Sequence, residues 1–278
     1  MEYIRTTDEP QLDRPVFVCA FEGWNDAGDA ASTAVRYLED RWRSRPIAEI
    51  DPEEFYDFSA ARPHIELQDG DERELVWPRN QFSAGHLDGV GDIVTLVGLE
   101  PHLRWRTFTQ EIIEYARSLD ARLVVTCGAL ISDVPHSRPV PIYGTGHDAA
   151  SMVRLNAEAS TYEGPTGIVG VLNALCSESD IPTASLWAAV PSYVSQAPSP
   201  KAALALVERI GKLLEAGIST TDLEIASAAY ERQVGELVAR DDETAGLVAE
   251  LEQRHDELND TGSLVEEVEQ FLREHPDD

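Results

Sequence analysis

Hydrophobic and polar positions along the chain fall into two alternating periods. The first clear block is Val16-Phe17-Val18-Cys19-Ala20-Phe21, an unbroken apolar run between Pro15 and Glu22. A strand covered on both faces needs such a run, so this one predicts a buried strand of a largely parallel sheet. The period then changes. Ala30, Ala34, Val35 and Leu38 recur at helical spacing and predict a helix from about Asp26 to Asp40. Apolar runs at Ile47–Ile50, Glu74–Trp77, Asp92–Gly98, Arg122–Cys127, Val140–Tyr143 and Ala184–Val190 predict further strands. Helical spacing returns over Thr107–Leu119, through Phe108, Ile112, Ile113, Ala116 and Leu119, and over Lys201–Leu214, through Leu204, Val207, Ile210 and Leu214. Strand, helix and strand from Asp92 to Cys127 imply a βαβ unit with parallel strands. Phe55-Tyr56-Asp57-Phe58, followed by Arg62-Pro63, predicts an ordered loop, and the three glycines within Asn80–Gly91 predict a turn between strands.

Beyond Gly217 the pattern is helical only. Thr221-Asp222-Leu223-Glu224 has the form of a capping box and opens a helix to about Arg240. A second helix covers about Asp242 to Leu258, with Leu247, Val248, Leu251 and Leu258 turned inward. Ser263-Leu264-Val265-Glu266 opens a third, short one. The expected organisation is therefore an α/β core over residues 1–217 and a helical appendage over 218–278.

Composition sharpens this division. The formal charge is −29, from 51 acidic and 22 basic residues, and the basic residues are 20 Arg and only 2 Lys. From Asp222 to Asp278 there are 18 Asp plus Glu against 4 Arg, so about half of the net charge lies in the last fifth of the chain. Such a surface repels nucleic acid and anionic membranes. No apolar run approaches the ~20 residues of a membrane span, and Met1–Pro10 has neither the basic start nor the apolar core of an export signal. Cys19, Cys127 and Cys176 sit in separate apolar contexts without paired spacing. They read as buried thiols of a cytoplasmic protein, with neither a zinc site nor a catalytic thiol.

Four stretches carry candidate chemistry. Gly23 and Gly28 have the spacing of a phosphate-binding loop, but Asp29 and Ala30 stand where Lys and Ser or Thr belong, and Asp26 adds further negative charge. Asn25 or Asp26 capping the helix explains the turn better, and Trp24 on it is a candidate for ligand or subunit contact. Asp133, His136 and Arg138 follow the strand ending at Cys127, where open α/β sheets collect ligands. They form either an acid/base pair with an anion-binding Arg or a structural network that fixes a Pro-rich loop. Gly144-Thr145-Gly146-His147-Asp148-Ala149 is a weak dinucleotide fingerprint. Gly164, Thr166 and Gly167, with Gly170, mark a helix start pressed against a neighbour, with a ligand at its N–H groups as the lesser alternative. Neither a metal nor a cofactor is expected.

Several of these pieces, taken together, resemble the proteasome assembly chaperone family in its bacterial and archaeal branch. The matching segments run in order: Gly23-Trp24-Asn25-Asp26-Ala27-Gly28; Phe55-Tyr56-Asp57 with Arg62-Pro63; Gly98-Leu99-Glu100-Pro101 with Trp105; and Gly128 to Pro139. They continue with Tyr162 to Gly167, and with Ser185 to Tyr193 followed by Pro198-Ser199-Pro200. The resemblance covers roughly residues 10–216, and the acidic tail is similar to that of actinobacterial-type members. It implies a three-layer α/β/α domain similar to the purine nucleoside phosphorylase-like fold, in a homo-oligomer expected to be a trimer. It also implies a scaffold for proteasome α-subunits rather than an enzyme, with Gly23, Trp24, Asn25, Asp26, Gly28, Glu100, Gly164, Thr166 and Gly167 as contact residues. Chaperones that dock on proteasomes tend to end in a hydrophobic–Tyr–any-residue tail, whereas this chain ends Glu274-His275-Pro276-Asp277-Asp278. The competing expectation is a small-molecule binder or enzyme of nucleoside phosphorylase or hydrolase type, with Asp133, His136 and Arg138 in one pocket near Asn25, Asp26 and Glu100.

Overall fold

The computed structural model describes residues 1–68, 72–146, 158–159 and 162–274. The Val16–Phe21 run is strand β2 (Val16–Glu22), and its alternation sets the architecture. Val16, Val18 and Ala20 enter one hydrophobic cluster, while Phe17, Cys19 and Phe21 enter another on the opposite side of the sheet. Helices α1 (Ala30–Arg41) and α4 (Pro200–Leu214) cover the first side. Helices α2 (Trp105–Ser118) and α3 (Ile168–Glu178) cover the second. This is the three-layer α/β/α arrangement that the family resemblance implies. Both phenylalanines of β2 are fully buried, each favouring the fold by roughly 1.5–3 kcal/mol.

The remaining strands are β1 (Ile4–Thr6), β3 (Arg45–Ile50), β4 (His64–Gln68), β5 (Glu72–Val76), β6 (Asn80–Leu87), β7 (Gly91–Leu99), β8 (Leu123–Ser132), β9 (Ile142–Gly146), β10 (Glu158–Ala159) and β11 (Thr183–Pro191). Nine of the strands form one mixed sheet in the order β1-β3-β6-β7-β2-β8-β11-β9-β10, while β4 and β5 pair separately. Its centre, β7-β2-β8-β11, is parallel. β7, α2 and β8 make the expected parallel crossover, but β2 lies between the two strands rather than outside them. All three cysteines are free and buried, as their apolar contexts predict.

Four local expectations need correction. Asn80–Gly91 is mostly strand β6, because Gly85 serves close packing rather than a turn: a Cβ there would lie 2.6 Å from Ser44 Oγ. The turn is confined to the residues around Gly89 and Gly91, both at positive φ. Gly144 and Gly146 lie inside β9, paired with Leu186 and Ala184, so they form no phosphate-binding turn; His147, Asp148 and Ala149 lie outside the described residues. The 221–224 capping box is not formed, since helix α5 (Thr221–Val238) is preceded by Thr220, whose hydroxyl donates to Glu224 at 2.6 Å. Finally, α6 (Asp242–Glu274) runs through the break expected before Ser263, and Leu247 and Leu258 are exposed while Val248 and Leu251 are buried.

Candidate functional site

The parallel strands all end at one edge of the sheet, and α1, α2, α3 and α4 all begin there. Such an edge is where an α/β protein holds anionic ligands, because free N–H groups and the positive ends of the helix dipoles converge on it. In this chain, side chains of the protein itself occupy three of those four helix starts.

The turn after β2 is closed by backbone. Asp26 N–H donates to Gly23 O at 3.1 Å, and Ala129 N–H of β8 donates to Asn25 O at 2.7 Å. Gly23 has φ +110°, a conformation that glycine adopts without strain. Asp26 caps α1: its Oδ1 accepts from Ala31 N–H at 2.6 Å and from Ser32 N–H at 3.2 Å. The helix nevertheless begins four residues later than expected, because a 3-10 turn over Ala27–Asp29 intervenes. Burial pushes the Asp26 carboxyl above its ordinary range, against the lowering effect of the hydrogen bonds from Ser32 and Ala31. Gly28, at φ +60°, packs on the start of α4, where a Cβ would lie 3.0 Å from Ala197 O and from Ser199 Cβ. Ser199 N–H donates to Gly28 O at 2.7 Å, and its Oγ accepts from Ala202 N–H at 3.4 Å, capping α4.

The third helix start is the tightest. Glu100, just past the end of β7, accepts at Oε1 from Ile168 N–H of α3 at 2.8 Å and from Asn25 Nδ2 at 2.7 Å. The carboxylate thus sits where a ligand anion would sit, on the positive end of α3. Asn25 is fully buried, and a Cβ on Gly167 would come within 2.1 Å of its Oδ1. Glycine at 167 is therefore a packing requirement, as its spacing with Gly164 and Gly170 suggests. Cβ atoms on Gly164 and Gly170 would meet Tyr162 Oη at 2.5 Å and Thr166 Oγ1 at 2.1 Å.

Asp133, His136 and Arg138 lie at the same edge, past the end of β8, but face three different partners. Ser192 Oγ donates to Asp133 at 2.9 Å. His136 N–H donates to Tyr193 Oη at 2.7 Å, and the same oxygen is 2.9 Å from His136 Nδ1. The phenol proton is then free to go to Nδ1, which leaves the imidazole proton on Nε2. Burial, and then the Lys201 charge, lowers the His136 pKa. Arg138 makes a bidentate pair with Asp256 of α6, Nε to Oδ1 and Nη2 to Oδ2, both at 2.8 Å. Ser137 donates to Glu252, and Lys201 bridges His136 O and Glu231 of α5. No hydrogen bond joins Asp133, His136 and Arg138 to one another. Sequence reasoning missed Tyr193, Lys201, Ser199, Glu231 and the two carboxylates of α6. Only Tyr193 and Ser199 lay inside segments that drew attention, and nothing local pairs Arg138 with a residue 118 positions away.

Trp24, Leu103, Ile131 and Tyr162 are exposed around this edge, past the ends of β2 and β7, at the end of β8 and in the turn before α3. No helix among the described residues is long and apolar enough to cross a membrane.

The carboxyl edge of this α/β sheet is thus closed by the chain's own side chains at three helix starts, with exposed apolar side chains around it. The model of the PAC2 family matches residues 20–238, and the chain belongs to that family. It is similar to the crystal structure of a proteasome-assembly chaperone homologue from Mycobacterium tuberculosis, at 45% identity and TM-score 0.77, over 84% of this chain and 99% of that one. A PAC2 family protein from Streptomyces avermitilis matches at 43% identity and TM-score 0.77, with the same coverage. A protein of unknown function from Mycobacterium tuberculosis matches at 25% identity and TM-score 0.84, over 95% of this chain and 92% of that one. No curated protein matches the chain.

Proposed function

We propose that this chain is a non-enzymatic, homo-oligomeric scaffold that receives other proteins at the carboxyl edge of its sheet, with proteasome α-type subunits as the expected clients and a trimer as the expected state. The observation that carries this reading is the occupation of the α3 start by Glu100, beside a fully buried Asn25. A site built for a phosphate or carboxylate ligand leaves that position to the ligand, whereas here the protein spends it on its own fold. Exposed Trp24, Leu103, Ile131 and Tyr162 at the same edge support contact with another polypeptide, because aromatic and large aliphatic anchors dominate protein interfaces. Membership of the PAC2 family, and similarity to a proteasome-assembly chaperone homologue, point the same way.

Affinity capture of the tagged full-length chain from its own host tests the reading. Recovery of α-type proteasome subunits is the expected outcome, and capture without any of them would remove these clients. Turnover of a nucleoside, phosphate ester or amino-acid conjugate that disappears on His136→Ala would overturn it.

A further inference from the structure

Between Ile50 and Asn80 the chain leaves the main sheet and carries the two-stranded sheet β4–β5. Asn80 pairs with Gly98, so this excursion springs from the same edge that holds Glu100. Tyr56 donates to Leu99 O, and His102 N–H and Leu103 N–H both donate to Phe55 O, which anchors the excursion's base there. Within the hairpin, Ile65 lies opposite Leu75. Leu67 is two residues on from Ile65, and Trp77 is two on from Leu75, so the four side chains share one face. They are 64%, 65%, 50% and 42% exposed in the order Ile65, Leu67, Leu75, Trp77, with Phe58 edge-on to Trp77 at 4.8 Å. A two-stranded sheet is marginal in water unless something packs on its apolar face.

We propose that this face is covered by a second copy of the chain: the hairpin of one copy lies on the apolar rim formed by Trp24, Leu103, Ile131 and Tyr162 of the next, head to tail. The rim residues are 50–66% exposed. Taken together, the two patches expose on the order of 1,000 Å², which reaches the size of a specific interface; either alone is about half of that. All eight side chains are uncharged, and the other residue of the hairpin face, Arg73 opposite Leu67, is a cation, which matters for copies that each carry a formal charge of −29. Pairing hairpin on hairpin would leave every rim bare, whereas the head-to-tail contact covers both patches on every copy of a closed ring. The inference rests on the oligomeric scaffold reading and names its contact.

The test uses full-length protein, light scattering after size exclusion, and two double variants. The hairpin variant is Ile65→Glu with Leu67→Glu, and the rim variant is Trp24→Glu with Ile131→Glu. Each is expected to be monomeric at concentrations where the unaltered chain is oligomeric. An equimolar mixture is expected to form a 1:1 dimer that grows no further, because it retains one intact hairpin and one intact rim. Circular dichroism and a thermal melt establish folding; if a double variant fails to fold, Leu67→Ser and Trp24→Ser replace it and are read as at least a tenfold rise in dissociation constant. Variants that keep the unaltered mass, a rim variant that still dimerises, or a mixture that stays monomeric at 100 µM would overturn this contact while leaving the oligomeric reading intact. A monomeric unaltered chain would remove both.

Discussion

Two polar clusters at one end of the sheet direct their hydrogen bonds differently. The Asn25–Glu100–Ile168 cluster is enclosed by backbone, and every group in it comes from the α/β layers. In the other cluster, Arg138, Ser137 and Lys201 reach outward to Asp256, Glu252 and Glu231 on α5 and α6. Asn25 and Ile168 of the first are fully buried, so a partner lost there is costly to replace. The second is exposed enough for solvent and salt to compete. The first should therefore govern whether the sheet closes, and the second how firmly the C-terminal helices lie on it. A small apolar cluster of Tyr230, Val234, Val238 and Val248, against Tyr193 and Val194, adds the non-electrostatic part of that attachment.

The contrast can be broken by substitution. Gly167→Ala should have the largest effect, because its Cβ would lie 2.1 Å from Oδ1 of Asn25, a fully buried side chain that cannot yield without giving up its bond to Glu100. A loss of roughly 3 kcal/mol in denaturant unfolding is expected, and a loss under about 1 kcal/mol would show that the cluster is looser than its geometry. Glu100→Leu comes next, since it leaves Asn25 Nδ2 and Ile168 N–H without their acceptor. It should lose roughly 2 kcal/mol, and Glu100→Gln, whose amide oxygen can accept both bonds, should recover most of that.

Asp26→Asn tests the same region through pH. The folded pKa of Asp26 is raised above its unfolded value, chiefly by burial. Its contribution is therefore fully present below the ordinary carboxyl pKa and is lost as pH rises through the folded value. The asparagine variant should gain on the unaltered chain in melting temperature from about pH 4 upward; a constant difference would refute this.

At the weak end, Arg138→Met should leave the main melting transition nearly unchanged while raising amide exchange in α6, as added salt should also do. Acid should loosen the same helices in two stages. The His136 pKa is lowered, mainly by burial, so its contribution is lost as pH falls through a value below the ordinary ~6.5. Asp256 is lowered by Arg138, so its contribution goes as pH falls below the ordinary ~3.9. Exchange in α6 that is indifferent to both salt and acid would remove the distinction between the clusters.

Much of the layered core was legible because burial imposes period on sequence. Val16–Phe21 reads as a strand in either form, and Phe108, Ile112, Ile113 and Ala116 mark the inward face of α2. Glycine was less legible, since one letter serves several physical ends. Gly85 and Gly167 answer to close approach, Gly23 and Gly28 to positive φ, and Gly144 and Gly146 sit in a strand. The Asp133–His136–Arg138 segment was found, but its partners were not, because pairing across more than fifty residues leaves no local pattern. The exposed apolar face of β4–β5 was hidden for a different reason: strict alternation looks the same whether the face it makes is covered by the same chain or left open.

The central place of β2 also shapes how the chain is made. Its neighbours β7 and β8 begin at Gly91 and Leu123, so a growing polypeptide carries Val16–Phe21 without its strand partners while roughly 75 to 110 further residues are synthesised. At about 5–20 residues per second, that interval lasts several seconds to about twenty on the ribosome. A fully buried strand is thus among the first segments translated, and it waits on the ribosome for the strands that flank it.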